Sequence, residues 1–248
     1  MTEDLTEDHL TAGWKILQRR RGHRHSTDDL LTGWYAAEKT SPARTRLLDL
    51  GAGIGTVGML LLWRSPDAKL TSIEAQEISF GLLERNIERN DLRDRVRAIH
   101  GDLRHVRLEG ELFDVVTGSP PYFDPKDGIV SADSQRAHAR FELRGDVRDY
   151  CAAARAALVP NGRFVFCFPS NQRARAEAAI AEAGFAMVTS RDVIPRVGIA
   201  PLFSLFACRR SEDPGAEAIL EEPYVVRDAN GEPTDEHLLA RATFGFLR

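Results

Sequence analysis

The chain has 248 residues, 43% hydrophobic and 28% charged, which excludes a wholly disordered chain and suits one α/β domain of ordinary size. Its net charge of −4 is unevenly spread: residues 212–236 carry nine acids against one arginine, whereas 11–211 carry 30 bases against 24 acids, so a mildly basic working surface is permitted. The longest apolar run, 59–63, falls far short of the roughly 18 residues that cross a bilayer, the acidic amino terminus does not read as a signal peptide, and Cys151, Cys167 and Cys208 lie far apart. A cytosolic, soluble protein is expected, with no membrane contact, no disulfide scaffold and no metal site.

The first 40 residues show no clear periodicity. Residues 46–50 then read as a buried strand, followed by a glycine-rich turn and an apolar helix through about Trp63. A second strand at 69–74 ends in an acid. Residues 76–90 carry Ile78, Leu82, Leu83 and Ile87 at helical spacing. Strands follow at 96–100 and 113–117, the latter entering Gly118-Ser119-Pro120-Pro121-Tyr122. An Ala-rich helix at 146–158 is expected to stop at Pro160-Asn161-Gly162. A strand at 163–168, a helix at 171–183 and a closing hairpin of 185–193 and 202–208 complete the pattern. Strands alternating with helices imply an α/β fold with a mostly parallel sheet of seven strands, helices on both faces and an antiparallel hairpin at the carboxyl end. The tail, 211–248, is acidic and rich in Pro and Gly and is expected to be loosely packed.

Asp49-Leu50-Gly51-Ala52-Gly53-Ile54-Gly55-Thr56 follows a strand and opens a helix, and its glycines let the backbone approach a ligand closely. Gly53, Gly55 and Gly58 also satisfy the dinucleotide fingerprint, with Glu74 about 20 residues on where an acid holds ribose hydroxyls. The loop alone does not separate NAD from S-adenosylmethionine. Asp49, just before the loop, suits an ammonium group and repels a pyrophosphate. Ser119-Pro120-Pro121-Tyr122 follows the fourth strand, at the carboxyl edge where ligands of open α/β folds bind. Hydride transfer has no use for that tetrapeptide; methyl transfer to an amine does.

With these motifs the chain resembles the Rossmann-like class I methyltransferases of the N6-adenine type, and more narrowly the bacterial tRNA1(Val) adenine-37 N6-methyltransferase family. The narrower likeness includes residues 24–31, 195–208 and the tail's Val-Arg-Asp-Ala-Asn-Gly-Glu-Pro-Thr. It implies a front segment, 1–40, packing on the cofactor pocket, a methyltransferase core over 41–210 and an extension over 211–248. It also implies S-adenosylmethionine as cofactor and tRNA as partner, with a monomer as the working expectation. The chain departs from the usual family form at Ser119, where Asn is common, and in its overall acidity.

The exocyclic amine of adenine is a poor nucleophile because its lone pair is delocalised into the ring. Ser119 Oγ and the Pro120 carbonyl are candidates to accept its two hydrogens, turning the lone pair toward the methyl group. Two successive prolines stiffen that turn, which suits a preorganised transition-state site. Tyr122 offers a ring for stacking on an extruded base, and Phe123 a second wall or a core residue. Glu74 is expected at the ribose, Asp102 at the cofactor's adenine amine with Leu103 beside it, and Asp49, Gly51, Gly53 and Gly55 around the remainder. A turn cap is the alternative for Asp102. The resemblance sets Asp28 at the mouth of the pocket. Arg24, in the basic run 19–25, and Arg136 and Arg140, in the loop 124–145, are candidates for RNA phosphate. Methylation of another planar amine or amide, such as a protein glutamine, another RNA base or a small molecule, stays open.

Overall fold

The computed structural model describes residues 4–123, 126 and 133–246. A hairpin of β1 (Leu5–His9) and β2 (Lys15–Arg19) leads into α1 (Thr27–Lys39). Then β3 (Arg46–Leu50), α2 (Thr56–Arg64), β4 (Lys69–Glu74), α3 (Glu77–Arg89), β5 (Val96–His100) and β6 (Phe113–Gly118) alternate. They are followed by α4 (Ser134–Arg140), α5 (Val147–Ala157), β7 (Leu158–Pro169), α6 (Arg173–Glu182), β8 (Phe185–Ile194) and β9 (Phe203–Arg210). The last described elements are β10 (Ile219–Leu220), β11 (Tyr224–Val225) and α7 (Asp235–Ala242).

The five strands β5-β4-β3-β6-β7 run parallel, and β9 and β8 close the sheet antiparallel, which is the expected seven-stranded arrangement. The two-residue strands β10 and β11 add to the outer edge of β8. Side chains alternate across the sheet. Leu47, Val115 and Val165 face α1, α2 and α3, whereas Leu48, Val116, Phe164 and Phe166 face α5 and α6. Both faces are buried, so the strands read as continuous apolar runs, as parallel sheets do. Strand β7 starts earlier than expected: Pro160-Asn161-Gly162 lies inside it, because Asn161 adopts φ +59° and the pairing with β6 shifts register there.

The front of the chain is ordered structure, not an aperiodic lead. Asn86 of α3 and Asn90 at its carboxyl-terminal cap, about one helical turn apart, bind the free edge of β2. Asn90 Oδ1 accepts from Lys15 N at 2.7 Å and Asn86 Oδ1 from Leu17 N at 2.7 Å, while their Nδ2 groups donate to the carbonyls of the same two residues. Asn86 Nδ2 also donates to Ile54 O at 2.9 Å, joining the hairpin to the glycine turn.

The tail is also firmly docked, contrary to its composition. Tyr224 and Phe244 are fully buried in the same apolar cluster as Leu31 and Tyr35 of α1. Its acids meet bases elsewhere: Glu221 pairs with Lys39, and Glu236 lies 2.7 Å from Arg191, whose guanidinium covers the rings of Trp34 and Tyr224. Truncating Phe244 to alanine is therefore expected to lower unfolding free energy by about 3–5 kcal/mol, measured by urea denaturation. A loss near zero would mean that the tail contributes nothing to the core.

Candidate active site

The carboxyl ends of β3, β4 and β6 converge on one cavity. Its floor is the glycine turn, whose Gly51, Gly53 and Gly55 all take positive φ, at +61°, +58° and +96°. The three are not equivalent. A Cβ on Gly51 would lie 2.0 Å from Tyr150 Oη, and one on Gly55 2.7 Å from Leu83, but a Cβ on Gly53 would meet nothing within 4 Å. Gly53 is the position where the backbone faces open space.

Carboxylates dominate the floor. Asp49, 1% exposed, accepts from Gly58 N at 3.0 Å and from Thr117 Oγ1 at 2.8 Å. Burial pushes its carboxyl up to about 6. Glu74, also buried, accepts from Gly53 N at 2.7 Å and Gln76 N at 2.6 Å, and burial raises it too. Asp29, in the first turn of α1, lines the same cavity, and burial plus the neighbouring Asp28 hold its carboxyl well above the ordinary range. Each carboxylate oxygen has a second lone pair, so capacity for a ligand remains after these bonds.

The same bonds decide what the turn does not bind. Ala52 N donates to Ile73 O, Gly53 N to Glu74, Gly55 N to Ala52 O and Gly58 N to Asp49. Those four N–H groups are already used, and the three acids lining the cavity would repel a pyrophosphate. The site suits a ligand bearing positive charge and hydroxyl donors.

The opposite wall comes from α4 and from the segment between β2 and α1. Gln135, 1% exposed, accepts from His23 N at 3.2 Å and donates to Ser79 Oγ at 3.2 Å, clasping the two walls together. His23, His25, His138 and Arg144 also line the cavity, and burial lowers the first two imidazoles, favouring their neutral forms.

Several candidate residues meet here and others do not. Ser119 and Pro121 line the cavity with Asp49, Glu74, Gly51, Gly53 and Leu103, and Pro120 is buried between them in sequence. Gly55 sits one step back, against Leu83. Asp102 is turned away: Arg104 clasps its carboxylate through Nε at 2.9 Å and Nη2 at 2.6 Å, and its own carbonyl caps the following turn. The cavity wall at this point is Gly101 and Leu103. Tyr122 is likewise committed inward. Its hydroxyl donates to Asp28 Oδ2 at 2.9 Å and its ring packs edge-on against Phe168 at 6.1 Å. The exposed aromatic is Phe123, 38% exposed, with the Arg140 guanidinium 5.5 Å over its ring. Asp28 reaches the site through Tyr122 and does not itself line the cavity. Arg24 is held by Thr6 and Asp8 at 2.7 and 2.9 Å, while Arg136 is exposed. The expected loop 124–145 contains α4, and residues 124, 125 and 127–132 lie outside the described residues.

The residues missed in the sequence are Asp29, Gln135, Arg144 and Tyr150. Asp29 had a visible signal, as the second acid after Ser26 in a helix-opening pattern. Among the described residues no group of His, Cys, Asp or Glu could hold a metal ion, and no helix is long and apolar enough to cross a membrane.

Comparison with known proteins agrees with this geometry. The family model for the methyltransferase small domain matches residues 35–183. A tRNA1(Val) (adenine(37)-N6)-methyltransferase of Shewanella sediminis is 29% identical, over 85% of this chain and 87% of the relative. Among solved structures, a predicted O-methyltransferase from Agrobacterium tumefaciens superposes with a TM-score of 0.69 at 19% identity, covering 88% of this chain and 96% of that one. The M. jannaschii tRNA m1G37 methyltransferase gives 0.61 at 14% identity, covering 86% and 59%. The two glycines predict different outcomes. Gly53→Ala is expected to cost only the about 1–2 kcal/mol of a left-handed alanine, whereas Gly51→Ala costs more because Tyr150 must move. Equal losses in chemical denaturation would contradict the assignment of the open side to Gly53.

Proposed function

The chain belongs to the methyltransferase small-domain family and is S-adenosylmethionine-dependent, and we propose that it methylates N6 of an adenine in tRNA, at position 37 beside the anticodon. The cofactor supplies an electrophilic methyl group on a positively charged sulfur. The residues of the cavity fit it, because the carboxyl groups of Asp29, Asp49 and Glu74 lie beside a glycine turn whose Gly53 and Gly55 N–H groups are already bonded. In this reading Glu74 receives the ribose hydroxyls, the backbone at Gly51 and Gly53 passes close to the ligand, and Leu103 gives an apolar wall for its adenine. Asp49 acts mainly by ordering the turn, through Gly58 and Thr117.

The observation that carries the proposal is that Ser119 lines the same cavity as Gly53 and Glu74. Ser119 Oγ and the Pro120 carbonyl then accept the two amine hydrogens, and the proline pair holds them fixed while charge develops on nitrogen. Alignment of donor and acceptor within the cavity would supply a large part of the rate advantage. Phe123, not Tyr122, is the ring available to an extruded base, and a stacked base gains about 1–3 kcal/mol. Arg140 over that ring and Arg136 on the same helix are assigned to phosphate. Arg24 orients the segment that carries His23 and His25. The name of the matched relative supports tRNA as substrate, and the cytoplasm is the corresponding location.

Two outcomes test this. Purified protein with labelled cofactor and unmodified tRNA is expected to yield N6-methyladenosine at position 37 by nucleoside mass spectrometry, and Ser119→Ala is expected to lower kcat while leaving the cofactor Kd unchanged. No labelled adenosine, with a protein glutamine or another amine labelled instead, would falsify the substrate assignment. Cofactor affinity is also expected to weaken as pH falls through about 6, where Asp49 gains its proton. The stability effect of that group has the opposite sign: its raised value means the folded state binds more protons, so its contribution rises as pH falls toward about 4. Weaker binding at pH 5.5 with intact thermal stability is therefore the expected pair; affinity unchanged between pH 7 and 5.5 would remove the carboxylates from the binding role.

A further inference from the structure

The acid that follows β5 is not free to hold the cofactor's base. Asp102 accepts from Arg104 N at 3.0 Å as well as from the two guanidinium nitrogens. Beyond Glu74, this part of the cavity is lined by Ala75, Gly101, Leu103 and Arg144. Arg144 behaves differently from Arg19 and Arg104, each of which binds a carboxylate. Among the described residues it makes no ion pair; its Nη1 donates instead to Ala75 O, the carbonyl that follows Glu74. Burial raises the Glu74 carboxyl, while its hydrogen bonds and the Arg144 charge oppose that rise, so the cation lies within electrostatic reach of Glu74. The backbone that carries Arg144 is fixed on both sides. Glu142 N donates to Phe123 O at 2.9 Å, Gly145 turns the chain at φ +106°, and Asp146 caps α5 by accepting from Arg148 N at 2.8 Å.

A guanidinium is planar, and a bond made through its edge leaves both faces open. We propose that Arg144 holds the cofactor's adenine by stacking a guanidinium face on the base, with Leu103 as the other wall, so that the nucleoside half is gripped by this stack and not by a hydrogen bond to Asp102. The bond to Ala75 O anchors the edge of the guanidinium beside the ribose site at Glu74 and leaves the plane for the ring. Arginine suits the task better than lysine, whose ammonium is a point charge with no face to offer. The three carboxyl groups of the cavity lie in the same space, so the cation also brings no repulsion to the site. The inference rests on the S-adenosylmethionine dependence of the chain and is independent of which amine receives the methyl group.

The test is equilibrium binding of S-adenosylhomocysteine, which carries the base but no methyl group to transfer, measured by calorimetry. Arg144→Ala is expected to raise its Kd by about three- to thirtyfold, the range for a cation on an aromatic face. Arg144→Lys, which restores charge without the plane, is expected to recover little of that affinity, and Asp102→Asn to bind as the wild type does. Full recovery in Arg144→Lys would reduce Arg144 to a charge acting on Glu74, and a larger loss in Asp102→Asn than in Arg144→Ala would return the base to Asp102; either result overturns the proposal. A second readout follows the Arg144 Nε–H resonance, assigned by its absence from the Arg144→Lys spectrum. Lying over the ring, it is expected to move upfield on saturation with S-adenosylhomocysteine, whereas a downfield move or none would mean that no stack forms. A wild-type protein that binds no S-adenosylhomocysteine would remove the cofactor itself, a failure distinct from a wild-type protein and an Arg144→Ala variant that bind it equally well.

Discussion

Two carboxylates at the ends of adjacent strands govern this molecule. Asp49 lies at the end of β3 and Glu74 closes β4; Asp49 takes the N–H of Gly58 in the first turn of α2 and Glu74 that of Gly53 in the glycine turn. A turn of this shape with its amides free would be an anion site. Here the Ala52, Gly53 and Gly55 amides are answered from within and carboxylates line the cavity, so the polarity of the site is inverted. The cost is visible in the raised proton affinity of both acids, because burial outweighs their hydrogen bonds and, for Glu74, the charge of Arg144. A positively charged ligand relieves that cost, and charge selection follows from strand chemistry and not from any one contact to the ligand.

The segments outside the matched family region, 35–183, complete this arrangement. The third acid, Asp29, precedes it in sequence, and so do His23 and His25 on the opposite wall. They are held in place by docking at some distance. Asn86 and Asn90 fasten the front hairpin to α3, and the tail anchors α1 through the ring of Tyr224 against Trp34 at 5.2 Å. Ala12 N donates to Phe244 O at 2.9 Å, so the two ends of the described chain brace each other. The position of a carboxylate in the cavity thus depends on packing made by residues more than 180 positions away.

What was legible in the sequence follows from locality. The strands at 46–50 and 113–117 declare themselves because burial on both faces leaves nearly continuous apolar runs. The glycine turn and Glu74 are legible because strand, turn and acid are joined by a fixed crossover. Residues that earn their place only through tertiary contact were not. Tyr150 lies in an Ala-rich helix and reads as core, yet its hydroxyl lies against Gly51. Asp28 and Asp29 are adjacent, but the helix turns about 100° between them, so one lines the cavity and the other meets Tyr122. Leu103 lines the cavity and Asp102 does not, because the turn after β5 hands the acid to Arg104. The acidic tail reads as solvated by composition, since nothing local reveals that Lys39 and Arg191 await its glutamates.

The division between Tyr122 and Phe123 shows how one short motif can serve two ends. Both follow a rigid proline pair, and one ring must go inward when the next goes outward. The inward ring is the one with a hydroxyl, which lets it reach α1 and bond Asp28; Phe in that place would fill the space without tying the turn to the helix. The outward ring has no polar atom, so its exposed face is available to stack and its other neighbour is a cation, Arg140. In the proposed reaction this couples two requirements that a flexible site would have to meet separately. Asp29 lines the cavity and Asp28 bonds the turn that carries Ser119, and both sit on the same first turn of α1. A displacement of that helical turn would disturb donor and acceptor together, which explains why so much of the chain, front and tail alike, is arranged to keep α1 where it is.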